Sequence, residues 1–308
     1  MSPPGPPAPP AGVEADYPLE RLTTIRAGGR AELFARAGEV ERLVELLRWA
    51  REARADVGVV GSGSNLLVAD AGVHGLVIKL EGALAEIERD GLRLRCGGGA
   101  RLPQAAAHAA REGLSGLEFG VNIPGTVGGA VKMNANAYGG ELGDVLEWIE
   151  VASADGSSRR APEELGFSYR RSNLAPGEVV ARASFMLAAA APEAVKRTLA
   201  EMRAQRRAAQ PSGIKTFGST FKNPDDARAR GMPAGRLLDA AGCRGLEVGG
   251  ARFSDKHANF VENTGTATTA DVVALMAEGR RRVRERFGVA LEPEVQFLGE
   301  VDARALRE

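Results

Sequence analysis

Residues 123–141 read IPGTVGGAVKMNANAYGGE, and the fold turns on how this stretch is read. Pro124-Gly125 sets a turn, and Thr126 brings a hydroxyl to it. Gly128, Gly129 and Ala130 strip away side-chain bulk, so the backbone can lie flat against a large planar ligand. Asn134 and Asn136 add amides that can meet the polar edges of such a ligand. A connecting loop rarely needs so many small and amide-bearing residues together.

Upstream, GSGSN at 61–65 follows a short β-prone run at 57–60. A Rossmann fingerprint would place a third glycine where Leu66 stands, and the LLVAD that follows reads as a strand rather than a helix, so that fingerprint is rejected. Successive N–H groups of a glycine-serine loop can still form an anion-binding nest without a helix. Ser62, Ser64 and Asn65 add donors to it. Taken alone, the loop reads equally well as a tight polar turn. The two loops together point to a bound flavin dinucleotide. The cofactor-binding candidates are Gly61, Ser62, Gly63, Ser64, Asn65, Leu66, Pro124, Gly125, Thr126, Gly128, Gly129, Ala130 and Asn134.

Composition narrows the classes. A chain of 308 residues buries a substantial core and divides into two or three domains. Lys plus Arg equals Asp plus Glu at 40 each, so no global field favours nucleic acid or an anionic membrane. Cys96 and Cys243 give no disulfide framework, and three scattered histidines give no metal-ligand spacing, so no metal site is expected. No apolar run has the length of a spanning helix, and the N-terminus lacks a secretory pattern. A cytoplasmic protein with no membrane or nucleic-acid partner is expected, acting as a monomer.

Residues 1–16 are proline-rich and read as a disordered tail. Helical spacing begins at Glu39, with Val40, Leu43, Val44, Leu47 and Ala50 on one stripe. Strands are expected at 57–60, 66–68, 76–80, 92–96, 148–154, 179–187 and 291–298, and helices at 103–111, 192–209 and 270–287. Asp155-Gly156 reads as a hairpin turn. The glycine groups at 97–99 and 249–250 read as loops alone. An alanine-rich shift near residue 190 suggests the domain break. A domain over 17–189, with subdomains 17–82 and 83–189, would bind the cofactor. A second over 190–308 would bind substrate. The arginine-dense segments 203–207 and 280–286 read as solvated helix faces.

GSTFKNP at 218–224 carries a hydroxyl at Ser219, an amine at Lys222 and an amide at Asn223. FSYRRS upstream supplies Tyr169 and Arg170, and LEPEV near the C-terminus supplies Glu294. A proton donor, a cation, a carboxylate and a phosphate cradle suggest a redox enzyme acting on an anionic substrate. Each residue also has a plain structural reading: Arg170 could pair with Glu163 or Glu164, Ser219 could cap a turn, and Glu294 could lie on an exposed edge.

Seven ordered motifs carry a resemblance: TTIRAGG, GSGSNLLV, IPGTVGGAV, the YR of FSYRRS, GSTFKNP, SDKHANF and LEPEV. Through them the chain resembles the UDP-N-acetylenolpyruvoylglucosamine reductase family in its shorter, type II form. The resemblance implies an α+β fold: a two-part FAD-binding module of the vanillyl-alcohol-oxidase (PCMH) type, followed by an α+β substrate-binding domain. It implies noncovalent FAD, NADPH as co-substrate, and reduction of UDP-N-acetylglucosamine enolpyruvate to UDP-N-acetylmuramate for peptidoglycan synthesis. Hydride would pass from flavin N5 to the enolpyruvyl methylene. The matching positions make Ser219 the proton donor, with Arg170 and Glu294 stabilising the developing charge. Tyr169, Lys222, Asn223, Lys256 and His257 would bind substrate, the last two at the UDP phosphates, although a buried structural histidine is the plainer reading of His257. The chain departs from the family pattern at Arg30, Ser62, Lys132 and Asn136; the last replaces a usual glycine. Another FAD-dependent oxidoreductase on the same fold is the alternative reading.

Overall fold

A computed structural model describes residues 7–211 and 213–306. The chain forms two compact units whose segments interleave along the sequence. The first comprises Met1–Asp16, Glu32–Ser62 and His74–Arg206; the second comprises Tyr17–Ala31, Gly63–Val73 and Arg207–Glu308. The expected break at residue 190 is therefore displaced. Most of the helix after it belongs with the first unit, and two N-terminal segments belong with the second.

In the first unit, a strand at Arg30–Ala37 leads into helix α1 (Val40–Ala53) and then a strand at Val57–Val59. That strand runs parallel to Val73–Leu80, with Val57 opposite Leu76. Helix α1 buries Val40, Leu43, Leu47 and Ala50 of the expected stripe together with Leu46 and Trp49, while Val44 is half-buried. It ends at Arg54, whose left-handed backbone (φ 55°) turns the chain back. A five-stranded antiparallel sheet follows in the order Gly156–Arg160, Leu146–Ser153, Val179–Met186, Arg93–Gly97, Ile87–Asp90. Helices α2 (Leu102–Arg111), α3 (Val127–Lys132) and α4 (Pro192–Ala209) complete the unit's helices. Leu94, Phe119, Ile149 and Phe185 lie in the core of this part. Each such side chain contributes about 1.5–3 kcal/mol by leaving water.

Three local expectations change. The hairpin turn is Ala154-Asp155, because Ser153 pairs with Gly156. The glycines at 97–99 are not merely loop residues: a Cβ on Gly98 would stand 1.9 Å from the Val180 carbonyl oxygen, so the backbone itself packs there. Residues 7–16 of the expected tail are ordered into the fold. The Pro7 carbonyl accepts a hydrogen bond from Trp49 Nε1 (3.1 Å), and Arg42 donates to the Ala11 carbonyl. A strand begins at Glu14 (Glu14–Pro18). The rest of the expected tail, residues 1–6, lies outside the described residues.

In the second unit, strands Glu247–Val248, Ala251–Phe253 and Val261–Asn263 form an antiparallel sheet. Helices α5 (Ala234–Ala240) and α6 (Thr269–Phe287) accompany it. Phe217, Phe221, Leu237, Leu238, Phe253 and Met276 form its core. Helix α6 starts with a capping box in which Thr268 Oγ1 accepts from Asp271 N–H and the Asp271 carboxylate accepts from Thr268 N–H. Asp70 adds a second cap, accepting from Thr269 N–H (2.8 Å) and Ala270 N–H (2.9 Å). The strand expected at 291–298 is regular only over Gln296–Leu298, which runs parallel to Leu66–Val68. Pro293 cannot donate to a ladder and makes only an isolated bridge to Phe221.

Candidate active site

In the first unit the two glycine loops meet. Gly61 follows the strand Val57–Val59, and a Cβ there would stand 2.5 Å from Thr126 Oγ1. Thr126 is buried at the N-cap of α3, where its hydroxyl accepts from Gly129 N–H at 3.4 Å. Gly128 lies against Gly98: a Cβ would be 3.0 Å from the Gly98 carbonyl oxygen, which already accepts the Gly128 N–H (2.8 Å). Gly125 accepts from Leu102 N–H, and Ala130 is buried beneath the loop. A Cβ on Gly125 or Gly129 would meet only ordinary contacts, Ile123 Cγ2 at 4.0 Å and Thr126 Oγ1 at 3.5 Å. Gly61, Thr126 and Gly128 are thus packed closely with one another and with Gly98.

Lys79 is a member of this cluster that the sequence reading missed. Its ammonium donates to the Gly61 carbonyl at 3.0 Å. Burial lowers its pKa, and the Arg101 charge adds to the lowering. The signal available was a single lysine in the otherwise apolar GLVIKL.

Asn134 takes a different part from the one expected. It is fully buried, and its amide is spent inside the protein: Nδ2 donates to Glu141 and to the Ser168 carbonyl, and Oδ1 accepts from Gly143 N–H. It braces the loop from within rather than presenting an amide to a ligand.

Arg170 is half-buried, and its backbone is left-handed (φ 57°). Its Nη1 donates to Asn136 Oδ1 at 3.0 Å and lies 3.4 Å from the Asn136 carbonyl oxygen. Its guanidinium stands 5.2 Å from the centre of the exposed Tyr169 ring.

In the second unit, residues 63–66 continue the first glycine loop. Gly63 accepts from Thr24 N–H (3.0 Å), and Ser64 is buried. Asn65 Nδ2 donates to the Glu294 carbonyl (3.2 Å), and Leu66 opens the strand Leu66–Val68. Residues 219–222 are flanked by 292–294 and by 259–260. Glu294 N–H donates to the Thr220 carbonyl (2.9 Å), and Lys222 N–H donates to the Glu292 carbonyl (2.9 Å). Ser219 bridges Phe260, and Phe221 bridges Pro293. The buried Asn259 amide clamps Phe221 from the other side, donating to its carbonyl (2.8 Å) and accepting its N–H (2.9 Å). Ser219 and Glu294, far apart in sequence, are thus carried half-buried on neighbouring extended segments.

The remaining candidates divide. Lys222 pairs with Glu292 at 3.3 Å. The exposed Asn223 uses Oδ1 to accept Ala234 N–H at the start of α5. Lys256 donates to the Arg207 carbonyl at 2.6 Å. His257 takes its plainer, structural reading. Nδ1 accepts the Asn259 N–H (3.2 Å), and its ring meets Phe260 edge-on at 5.0 Å. Burial pushes its pKa down, so it is neutral at pH 7 and offers no extra charge to a phosphate.

Both thiols are inert packing groups: burial raises Cys96 to about 12 and Cys243 to about 11. Among the described residues no cluster could hold a metal ion, and no helix is long and apolar enough to cross a membrane.

Comparisons with known proteins bear directly on these loops. The FAD binding domain family matches residues 31–161. The C-terminal domain family of UDP-N-acetylenolpyruvoylglucosamine reductase matches residues 210–298. A UDP-N-acetylenolpyruvoylglucosamine reductase from Anaeromyxobacter sp. (strain Fw109-5) is 45% identical over 94% of this chain and 90% of its own length. The chain belongs to the UDP-N-acetylenolpyruvoylglucosamine reductase family. Another member, from Symbiobacterium thermophilum, is 43% identical over 94% of this chain and 93% of its own length. The crystal structure of UDP-N-acetylenolpyruvylglucosamine reductase from Thermus caldophilus superposes with a TM-score of 0.80 at 40% identity, covering 93% of this chain and 98% of that one. The α+β class, with an FAD-binding domain ahead of a family-specific C-terminal domain, stands as expected. The chain is an enzyme of the oxidoreductase class.

Proposed function

We propose that this chain reduces UDP-N-acetylglucosamine enolpyruvate to UDP-N-acetylmuramate, using NADPH and noncovalently held FAD, in the synthesis of a peptidoglycan precursor. The observation that carries the reading is the pairing of 219–222 with 292–294, which brings a hydroxyl-bearing and a carboxylate-bearing segment of the second unit side by side. Family membership and the glycine cradle of the first unit support it.

Residues 61–66 and 124–130 hold the cofactor in this reading. Lys79 keeps positive charge beside the first loop. Bound FAD supplies a hydride, taken from NADPH, to the enolpyruvyl methylene. The neighbouring carbon and its carboxylate then carry negative charge. The Arg170 guanidinium stabilises that charge as it develops, and Glu294 assists as a hydrogen-bonding acid. Ser219 Oγ donates the proton that completes the reduction; an enolate-like carbanion is basic enough to take it. Asn223, Lys222 and Tyr169 contact the substrate, and the Lys256 ammonium serves its phosphates.

The test is NADPH consumption by the FAD-loaded protein with and without UDP-N-acetylglucosamine enolpyruvate. Oxidation that depends on this substrate and yields UDP-N-acetylmuramate is the expected result. If flavin is bound but NADPH consumption stays at background, the reaction assignment fails, and another FAD-dependent oxidoreductase on the same fold takes its place.

A further inference from the structure

The side chain of Asn136 has no structural task visible in its own hairpin. Strand Asn136–Ala137 pairs with Gly140–Glu141 through backbone groups, Asn136 opposite Glu141, and turns at Tyr138-Gly139. Both turn residues are left-handed (φ 52° and 82°), so the hairpin closes tightly and Asn136 is held at its base. The amide points Oδ1 at the Arg170 guanidinium, 3.0 Å from Nη1. Arg170 comes from a separate tight turn, in which Ser168 and Arg171 exchange backbone hydrogen bonds of 3.1 and 3.0 Å. The long arginine side chain is thereby gripped at its base by this turn and at its tip by Asn136, with the Tyr169 ring beneath.

We propose that Asn136 is a positioning residue for Arg170, fixing the direction of its guanidinium toward the charge that develops on the substrate. The inference rests on the reading of Arg170 given above. A neutral amide suits this task. A carboxylate in its place would cancel part of the positive charge that Arg170 is to present, whereas an amide oxygen orients the guanidinium and leaves its charge intact. A long arginine side chain loses rotamer freedom when it is fixed, and Asn136 settles part of that loss before substrate arrives.

The experiment is a double-mutant cycle in the FAD-loaded protein, read by stopped-flow absorbance of the flavin. Asn136→Ala is expected to slow re-oxidation by UDP-N-acetylglucosamine enolpyruvate about tenfold, the worth of one hydrogen bond to a charged group. Reduction by NADPH should not change, nor should the substrate Kd from flavin spectral perturbation rise by more than about threefold. In an Arg170→Ala background the same substitution should change re-oxidation by less than about twofold. If Asn136→Ala does not fold, Asn136→Leu keeps the volume without the acceptor and should give the same pattern. An equal slowing with and without Arg170 overturns the proposal, as does a wild-type rate for the single variant. If Arg170→Ala itself re-oxidises at the wild-type rate, the reading of Arg170 fails instead.

Discussion

Replacing Gly61 with alanine tests whether the two glycine loops are fitted to each other. The added Cβ would stand 2.5 Å from Thr126 Oγ1, 3.1 Å from its Cγ2 and 3.4 Å from its Cβ. The first two separations are too short for a normal contact, so Thr126 must move. Overpacking of this kind costs about 1–3 kcal/mol. Moving Thr126 also removes the α3 cap, a 3.4 Å hydrogen bond to Gly129 N–H, worth about 0.5–1 kcal/mol. Gly61→Ala should therefore lose about 2–3 kcal/mol of stability. Thr126→Ala alone should lose only the cap, about 0.5–1 kcal/mol. Because it deletes both clashing atoms, the double variant should lose only the cap and be more stable than Gly61→Ala, with a coupling of about 2–3 kcal/mol. Urea unfolding of the three variants and the parent gives these quantities, and FAD titration by flavin fluorescence gives cofactor affinity in parallel. Affinity should fall in Gly61→Ala and partly return in the double variant. A double variant no more stable than Gly61→Ala would refute the packing argument.

Other expectations follow from the same geometry. Ser219→Ala should leave flavin reduction by NADPH intact and slow re-oxidation by substrate at least about hundredfold, as loss of a general acid does; equal half-reaction rates to wild type would remove Ser219 from that role. His257 is buried with its pKa lowered, so the folded protein binds its proton less readily than the unfolded chain. Its contribution to stability is whole above the unfolded value of about 6.5 and is lost as pH falls through the folded value. Urea midpoints measured from pH 8 to pH 5 should fall in this window, and His257→Gln should flatten that part of the curve. Asp70→Ala removes the acceptor of two N–H groups at the start of α6 and should cost about 1–2 kcal/mol; an unchanged urea midpoint would mean that Thr268 and Asp271 cap the helix unaided.

Much of the local structure was legible because it is written in short-range pattern. Helix α1 follows from one apolar stripe, α4 was bounded correctly over Pro192–Ala209, and α6 starts within one residue of its expected position. The candidate site was legible as ordered motifs of glycines, hydroxyls and charges at fixed spacing. Partners remained hidden. Asn134 reads as a free amide until Glu141, Ser168 and Gly143 consume it. His257 stays open between a phosphate contact and a structural histidine until its packing against Gly235 of α5 and Phe260 is seen. Lys79 reads as a strand residue until Gly61 receives its ammonium.

The division of the chain shows the same limit most clearly. Composition suggested a single cut at residue 190, because a change in alanine content is a local property. The actual division joins residues 17–31 and 63–73 to the C-terminal part. Bonds that bridge long stretches of sequence secure it: Asn263 Nδ2 to the Ile25 carbonyl (2.9 Å), and Thr269 Oγ1 to the Val68 carbonyl (2.5 Å). No residue in either segment announces such a partner. Sequence alone determined helices α1, α2, α4 and α6 and the strands near 57–59, 66–68, 73–80, 93–97, 146–153 and 179–186, whose causes lie within a few residues, and the chemical inventory of the loops. Only the tertiary structure decided which distant backbone groups satisfy one another, because a buried carbonyl must be paired but can accept from any donor that the fold delivers.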